Sequence, residues 1–196
     1  EVYPVTEVED ARTCAELFKG EDILLGGERN ALKIEGFHLG NSPLEYRKDV
    51  VEGKVVVMTT TNGTRAIQNA MASDQVILAA FANAAAVASY LARQAEDTLI
   101  VCAGTEERFS MEDMLCAGKI IRCLIKEDVK LNLSDFAIAA HDLYLCHQQD
   151  MKSALKRTKH YNALVMGGFY EDVDYCIRED IFTSVPVCTG NKVVLK

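Results

Sequence analysis

The chain has 196 residues, 49% of them hydrophobic and 26% charged, the balance of a globular protein, which excludes a disordered or collagen-like chain and leaves room for one domain. Lys and Arg total 21 against 29 Asp and Glu, a net charge of −8. That excludes a nonspecific grip on phosphate backbones, so no nucleic acid is expected and any bound anion must be held by local donors.

The 7 cysteines are an odd number without a CxxC pair and lie mostly in apolar runs, which predicts buried free thiols in a reducing, cytoplasmic setting. The longest apolar stretch, 76–88, is broken by Asn83 and is too short to span a bilayer, so no membrane is expected.

Thr6 and Glu9 have the spacing of a capping box ahead of an apolar stripe of Val8, Ala11, Ala15 and Phe18, which predicts a first helix. Asp22 to Leu25 reads as a short buried strand stopped by Gly26-Gly27. After a polar, Gly-rich stretch, Ser42-Pro43-Leu44-Glu45 carries an N-cap, a Pro at N1 and a Glu at N3, the start of a short helix.

Strand, polar loop and helix then alternate. The units are 54–58 with the loop 59–64 and a helix from Arg65; 76–81 with Asn83 as N-cap of an Ala-rich helix; and 98–102 with the loop 104–109 and a helix capped by Ser110. Near-continuous apolar strands between helices predict a three-layer α/β/α fold with a mostly parallel, mixed sheet. Ser134 or Asp135 opens a helical region, and 185–188 and 192–195 read as closing strands, the first placed near an edge by Pro186. No linker or repeat interrupts residues 1–196, which read as a single α/β domain. The Ala-rich run 84–95 permits close packing within or between chains, so a homo-oligomer stays open.

In open α/β sheets ligands bind beyond the carboxyl ends of the strands. The 59–65 loop offers four hydroxyls, an amide, a glycine and an arginine, either a donor set for a phosphate or sulfonate or an ordinary capped turn. Glu28-Arg29-Asn30 would emerge at the same edge, as site residues or as a surface ion pair. Glu112 and Asp113 lie in the first turn of a helix, where the dipole favours them, and where they would also suit magnesium. No Walker A loop, GxSxG elbow or GxGxxG fingerprint occurs. His38, His141, His147 and His160 lack neighbours at metal spacing and read as structural or surface residues.

Four segments in order, Leu24 to Asn30, Gly36 to Tyr46, Thr59 to Ile67, and Cys102-Ala103-Gly104 with Phe109 to Asp113, resemble the 2-phosphosulfolactate phosphatase family, magnesium-dependent enzymes of coenzyme M biosynthesis, across nearly the whole chain. The resemblance implies hydrolysis of the phosphate monoester of (2R)-2-phospho-3-sulfolactate, a small anionic phosphorylated substrate, to 3-sulfolactate and phosphate. It places Glu28, Arg29, Asn41, Ser42, Thr60, Thr61, Asn62, Gly63, Thr64, Arg65, Asn83, Ser110, Glu112 and Asp113 in the site.

From their chemistry Glu28, Arg29 and Arg65 are assigned catalytic parts, with Glu28 orienting or deprotonating water. Asn41, Ser42, Thr60 to Thr64, Asn83 and Ser110 are assigned to substrate, and Glu112 and Asp113 to Mg2+. Ala31 replaces a glycine common in the family, with little effect expected. The family's opening segment, an apolar strand ending in an Asp-x-x-Arg-Ala-Thr-like motif, has no counterpart within 1–196, so part of the site is expected to lie outside these residues. Two alternatives keep the same residues: a phosphatase for another small phosphorylated hydroxy acid, and a catalytically silent anion-binding module.

Overall fold

The computed structural model describes residues 1–196 except Lys19 and Asp128. Its contacts divide the chain into two compact units, one of Glu1–Val76 with Val187–Leu195, the other of Ile77–Pro186 with Lys196.

The first unit is built on a six-stranded mixed sheet. Its strands are β1 (Val2–Val5), β2 (Ile23–Arg29), β3 (Leu32–Lys33), β4 (Val55–Thr59), β5 (Pro186–Thr189) and β6 (Lys192–Leu195), in the order β3-β2-β4-β1-β6-β5. This is the expected α/β class, with the parallel part confined to β2, β4 and β1. β4 lies between two parallel neighbours that pair with both of its edges, and its β-branched run is buried at Val55, Val56 and Val57, as in a sheet covered on both faces.

On one face, Tyr3, Val55 and Val57 pack with Phe37 and with Ala11 of α1 (Val8–Glu16). α2 (Lys48–Val51) precedes β4 and α3 (Gly63–Ala70) follows it. β5 takes the edge that its proline requires.

Two local expectations change. α1 starts one residue later than the capping-box spacing implies, with Glu7 as N-cap and no side-chain cap bond. β2 also does not stop at Gly26-Gly27 but runs through them to Arg29. Gly27 pairs with Thr59 so closely that an added Cβ would fall on the Thr59 carbonyl oxygen. The glycines admit a neighbouring strand here, where the sequence suggested a stop.

β2 and β3 form a hairpin whose two turn residues, Asn30 and Ala31, have φ of 54° and 63°. That pair of left-handed residues is a type I′ geometry, which favours glycine second. Ala31 is therefore strained rather than neutral. Ala31→Gly is expected to raise stability by about 1 kcal/mol, a Tm increase of roughly 2–4 °C, readable in a thermal melt.

The second unit is helical: α4 (Ala84–Gln94), α5 (Met111–Lys126), α6 (Asp135–His147), α7 (Met151–Leu155), α8 (Lys159–Met166) and α9 (Tyr170–Cys176). Its core gathers Phe81, Leu115, Tyr144, Met151 and Leu155 around α5 and α6, with Ile120, Cys123 and Leu124 against Ala84 and Ala88 of α4. Among the described residues the runs 76–81 and 98–102, expected as strands, form none: the first holds one bridge residue, Ile77, with Leu78 N–H donating to the Pro186 carbonyl at 2.9 Å, whereas 98–102 has no regular secondary structure, with Leu99 86% and Val101 52% exposed. It borders an apolar cavity of about 1220 Å3 that also meets Phe136 and Ile121.

All seven cysteines are free. Only Cys123 is buried as expected, while Cys102, Cys146 and Cys176 are exposed. Among the described residues no helix is long and apolar enough to cross a membrane.

Candidate active site

In the first unit the carboxyl ends of β1, β4 and β2 bring together Thr6, Thr59 to Thr64, Glu28 and Arg29. Neighbouring residues of a strand point to opposite faces, and Glu28 and Arg29 use that alternation. The buried Glu28 carboxylate turns to the loop after β4: Oε1 accepts from Thr61 N–H at 2.6 Å, and Oε2 accepts from the Thr61 hydroxyl at 3.1 Å and from Ala31 N–H at 2.9 Å. Both of its oxygens hold the loop and the hairpin turn.

Arg29 points the other way. Nη1 donates to the Glu28 carbonyl at 2.8 Å, and Nη2 donates to the Thr6 carbonyl at 2.8 Å and the Thr59 hydroxyl at 3.0 Å.

The loop closes on itself. The Thr64 hydroxyl donates to the Thr60 carbonyl at 3.0 Å and accepts from Thr60 N–H at 3.2 Å, and Thr64 N–H donates to the Thr60 hydroxyl at 3.1 Å. With the Thr61 and Thr64 amides spent internally, the N–H groups of Gly63 and Arg65 meet no protein acceptor among the described residues. They lie in the first turn of α3, where backbone donors favour an anion. The Arg65 guanidinium is more than half exposed and only 3.9 Å from the Glu7 carboxylate. Asn62 is the N-cap of α3.

Asn41 is exposed, and Ser42 is buried with its hydroxyl accepting from Leu44 N–H at 3.2 Å. The helix expected there is a three-residue 3-10 turn, Pro43–Glu45.

The second unit holds the other predicted residues. The Asn83 side chain does not cap α4. It reaches back instead, accepting from Ala80 N–H at 2.8 Å and donating to the Leu78 and Ser184 carbonyls, each at 3.3 Å, so it shapes its own turn.

Ser110 caps α5 as expected, accepting from Asp113 N–H at 3.3 Å. Glu112 lies between two hydroxyls, accepting from Ser110 at 3.1 Å and from Thr158 at 2.8 Å. Thr158 is also the N-cap of α8, so the carboxylate joins two helix N-termini, where negative charge is favoured. Asp113 Oδ2 accepts from Gly104 N–H at 2.6 Å. Burial pushes its carboxyl above the usual range, opposed by the Gly104 bond and reinforced by the charge of Glu112.

Among the described residues no group of three or more His, Cys, Asp or Glu could hold a metal ion. The donor set of Glu112 and Asp113 nevertheless fits magnesium, which commonly takes one or two carboxylates and completes its shell with water and substrate oxygens. Two adjacent carboxylates, one raised chiefly by burial and further by the charge of the other, are an array that a hard cation would relieve.

The sequence profile of the 2-phosphosulpholactate phosphatase family matches residues 1–191. The chain belongs to this family. Similar curated proteins, each named probable 2-phosphosulfolactate phosphatase, include one from Clostridium novyi, 46% identical over 186 residues that cover 95% of this chain and 78% of the relative. One from Caldicellulosiruptor saccharolyticus is 44% identical over 189 residues, covering 94% and 77%, and one from Thermotoga maritima is 43% identical over 195 residues, covering 100% and 82%. For a phosphatase family, the loop with two open backbone donors and an exposed arginine is the part of the first unit best equipped to meet phosphate oxygens.

Thr6 and Thr158 were absent from the sequence-derived site, and Thr59 entered it only as the first residue of the 59–65 loop, without a role. Thr59 ends a strand and Thr158 is a cap, and only long-range contacts show what they hold.

Proposed function

We propose that this protein hydrolyses (2R)-2-phospho-3-sulfolactate to 3-sulfolactate and phosphate with magnesium as cofactor, a cytoplasmic reaction of coenzyme M biosynthesis. The observation that carries the reading is the family match over residues 1–191, and the 60–65 loop supports it chemically. The Gly63 and Arg65 N–H groups and the Arg65 guanidinium supply donors for an oxyanion that an acidic protein would otherwise repel. Glu28 and the paired Thr60 and Thr64 keep those donors in place, so that little ordering is left to occur as charge develops on the phosphoryl oxygens. Glu112 and Asp113 are the residues that would hold magnesium, which when bound neutralises charge on phosphate oxygens.

The test is phosphate release from 2-phosphosulfolactate, phospholactate and phosphoglycerate, each with magnesium and with chelator. Expected is turnover that chelator abolishes, with kcat/KM at least roughly tenfold higher for the sulfonate-bearing substrate. Equal kcat/KM values would transfer the reading to small phosphorylated hydroxy acids in general. Binding without release would leave an anion-binding module.

A further inference from the structure

We infer that Thr59 is a positioning residue for the 60–65 loop, acting through Arg29 and Glu28. The inference rests on the phosphatase reading for its kinetic consequence but not for its structural one.

The Thr59 side chain is fully buried at the end of β4. Its hydroxyl is a node between three parallel strand ends. It donates to the Thr6 carbonyl beyond β1 at 3.0 Å and accepts from Arg29 Nη2 of β2 at 3.0 Å. The same Nη2 also donates to Thr6, which closes a triangle of hydrogen bonds. Through Nη1 the guanidinium then fixes the main chain of Glu28, and the Glu28 carboxylate holds the Thr61 amide and hydroxyl.

Thr59 is therefore connected to the loop twice, directly as the residue before Thr60 and indirectly by way of Arg29, Glu28 and Thr61. A buried hydroxyl that both donates and accepts has no isosteric apolar substitute: valine fills the space but leaves Arg29 one acceptor short and the Thr6 carbonyl one donor short. Serine keeps the node and loses only a methyl group.

Thr59→Val and Thr59→Ser separate these effects. In Thr59→Val, the Thr61 and Thr64 amides are expected to exchange with deuterium about tenfold faster or more, as a loosened loop opens more often. KM for 2-phosphosulfolactate and the inhibition constant of inorganic phosphate should each rise about tenfold, with kcat changed less than about threefold. Thr59→Ser is expected to match wild type in all three.

Wild-type exchange in Thr59→Val would overturn the inference, as would a Thr59→Ser variant as impaired as Thr59→Val, which would assign the effect to the methyl group. Should Thr59→Val not fold, Arg29→Lys breaks the node from its other side, since one ammonium cannot reproduce the fork to Thr6, Thr59 and the Glu28 carbonyl. It must then give the same faster exchange, and unchanged exchange there would equally overturn the inference. If the wild-type chain releases no phosphate from the substrate, the phosphatase reading fails, and the exchange comparison still decides the positioning role.

Discussion

Gly27→Ala is expected to cost more than about 3 kcal/mol, lowering Tm by roughly 6–12 °C, and to remove phosphatase activity with it. Two effects add at this position. Gly27 has φ of 148°, a backbone conformation that side chains resist, and its Cβ would occupy the place of the Thr59 carbonyl oxygen. Relief requires β2 to move away from β4 at the very pair, Gly27 and Thr59, beyond which Glu28 reaches the loop and Arg29 reaches Thr6 and Thr59.

Gly53→Ala is the control without a clash. Gly53 also has positive φ, 76°, but nothing lies within 4 Å of its added Cβ, so it reports the cost of a left-handed dihedral, about 1 kcal/mol. Thermal melts should show the larger loss for Gly27→Ala, and equal losses would show that neither its more extreme dihedral nor strand approach adds to that cost.

The same stretch shows what could be read in the sequence and what could not. Regular local signals transferred well: the β-branched run became β4, Ser110 caps α5, Ser134 caps α6, and Pro186 lies on an edge strand. Signals with two physical meanings did not. A double glycine can stop a strand or let another strand approach, and only the register with Thr59 decides. Thr6 and Glu9 have capping-box spacing, but the helix has Glu7 as N-cap, which leaves Glu9 at N2 instead of N3.

The apolar runs 76–81 and 98–102 have strand composition, yet the first forms only a single bridge residue, Ile77, and the second none, because a ladder needs a neighbour aligned along its length, which periodicity does not supply. The candidate site divides in the same way. The 60–65 stretch was legible as a polar turn because hydroxyl, amide and glycine gather between a strand and a helix. The hydrogen-bond partners of Glu28 and Asn83 were not, because they are distant in sequence, 33 residues away for Glu28 and Thr61 and 101 for Asn83 and Ser184.

Asp113→Asn should stabilise the fold while it destroys activity. The Asp113 carboxyl is pushed up mainly by burial, with the charge of Glu112 in the same direction and the Gly104 N–H bond opposing. A carboxyl whose folded pKa is raised favours the folded state in its protonated form. That contribution is complete below the unfolded value and is lost as pH rises through the folded one. At neutral pH the wild-type protein therefore carries a buried charge that asparagine lacks, while the asparagine oxygen can still accept from Gly104 N–H.

In chelator, the Tm of Asp113→Asn should equal that of wild type near about pH 4 and exceed it increasingly toward about pH 7. Phosphate release should fall by roughly 100-fold or more, because a neutral amide is a poor ligand for magnesium. A lower Tm at neutral pH would mean that the carboxylate's bond to Gly104 outweighs its burial. Full activity with a raised Tm would remove Asp113 from the metal site and leave Glu112, held between Ser110 and Thr158, as the remaining carboxylate of the proposed pair.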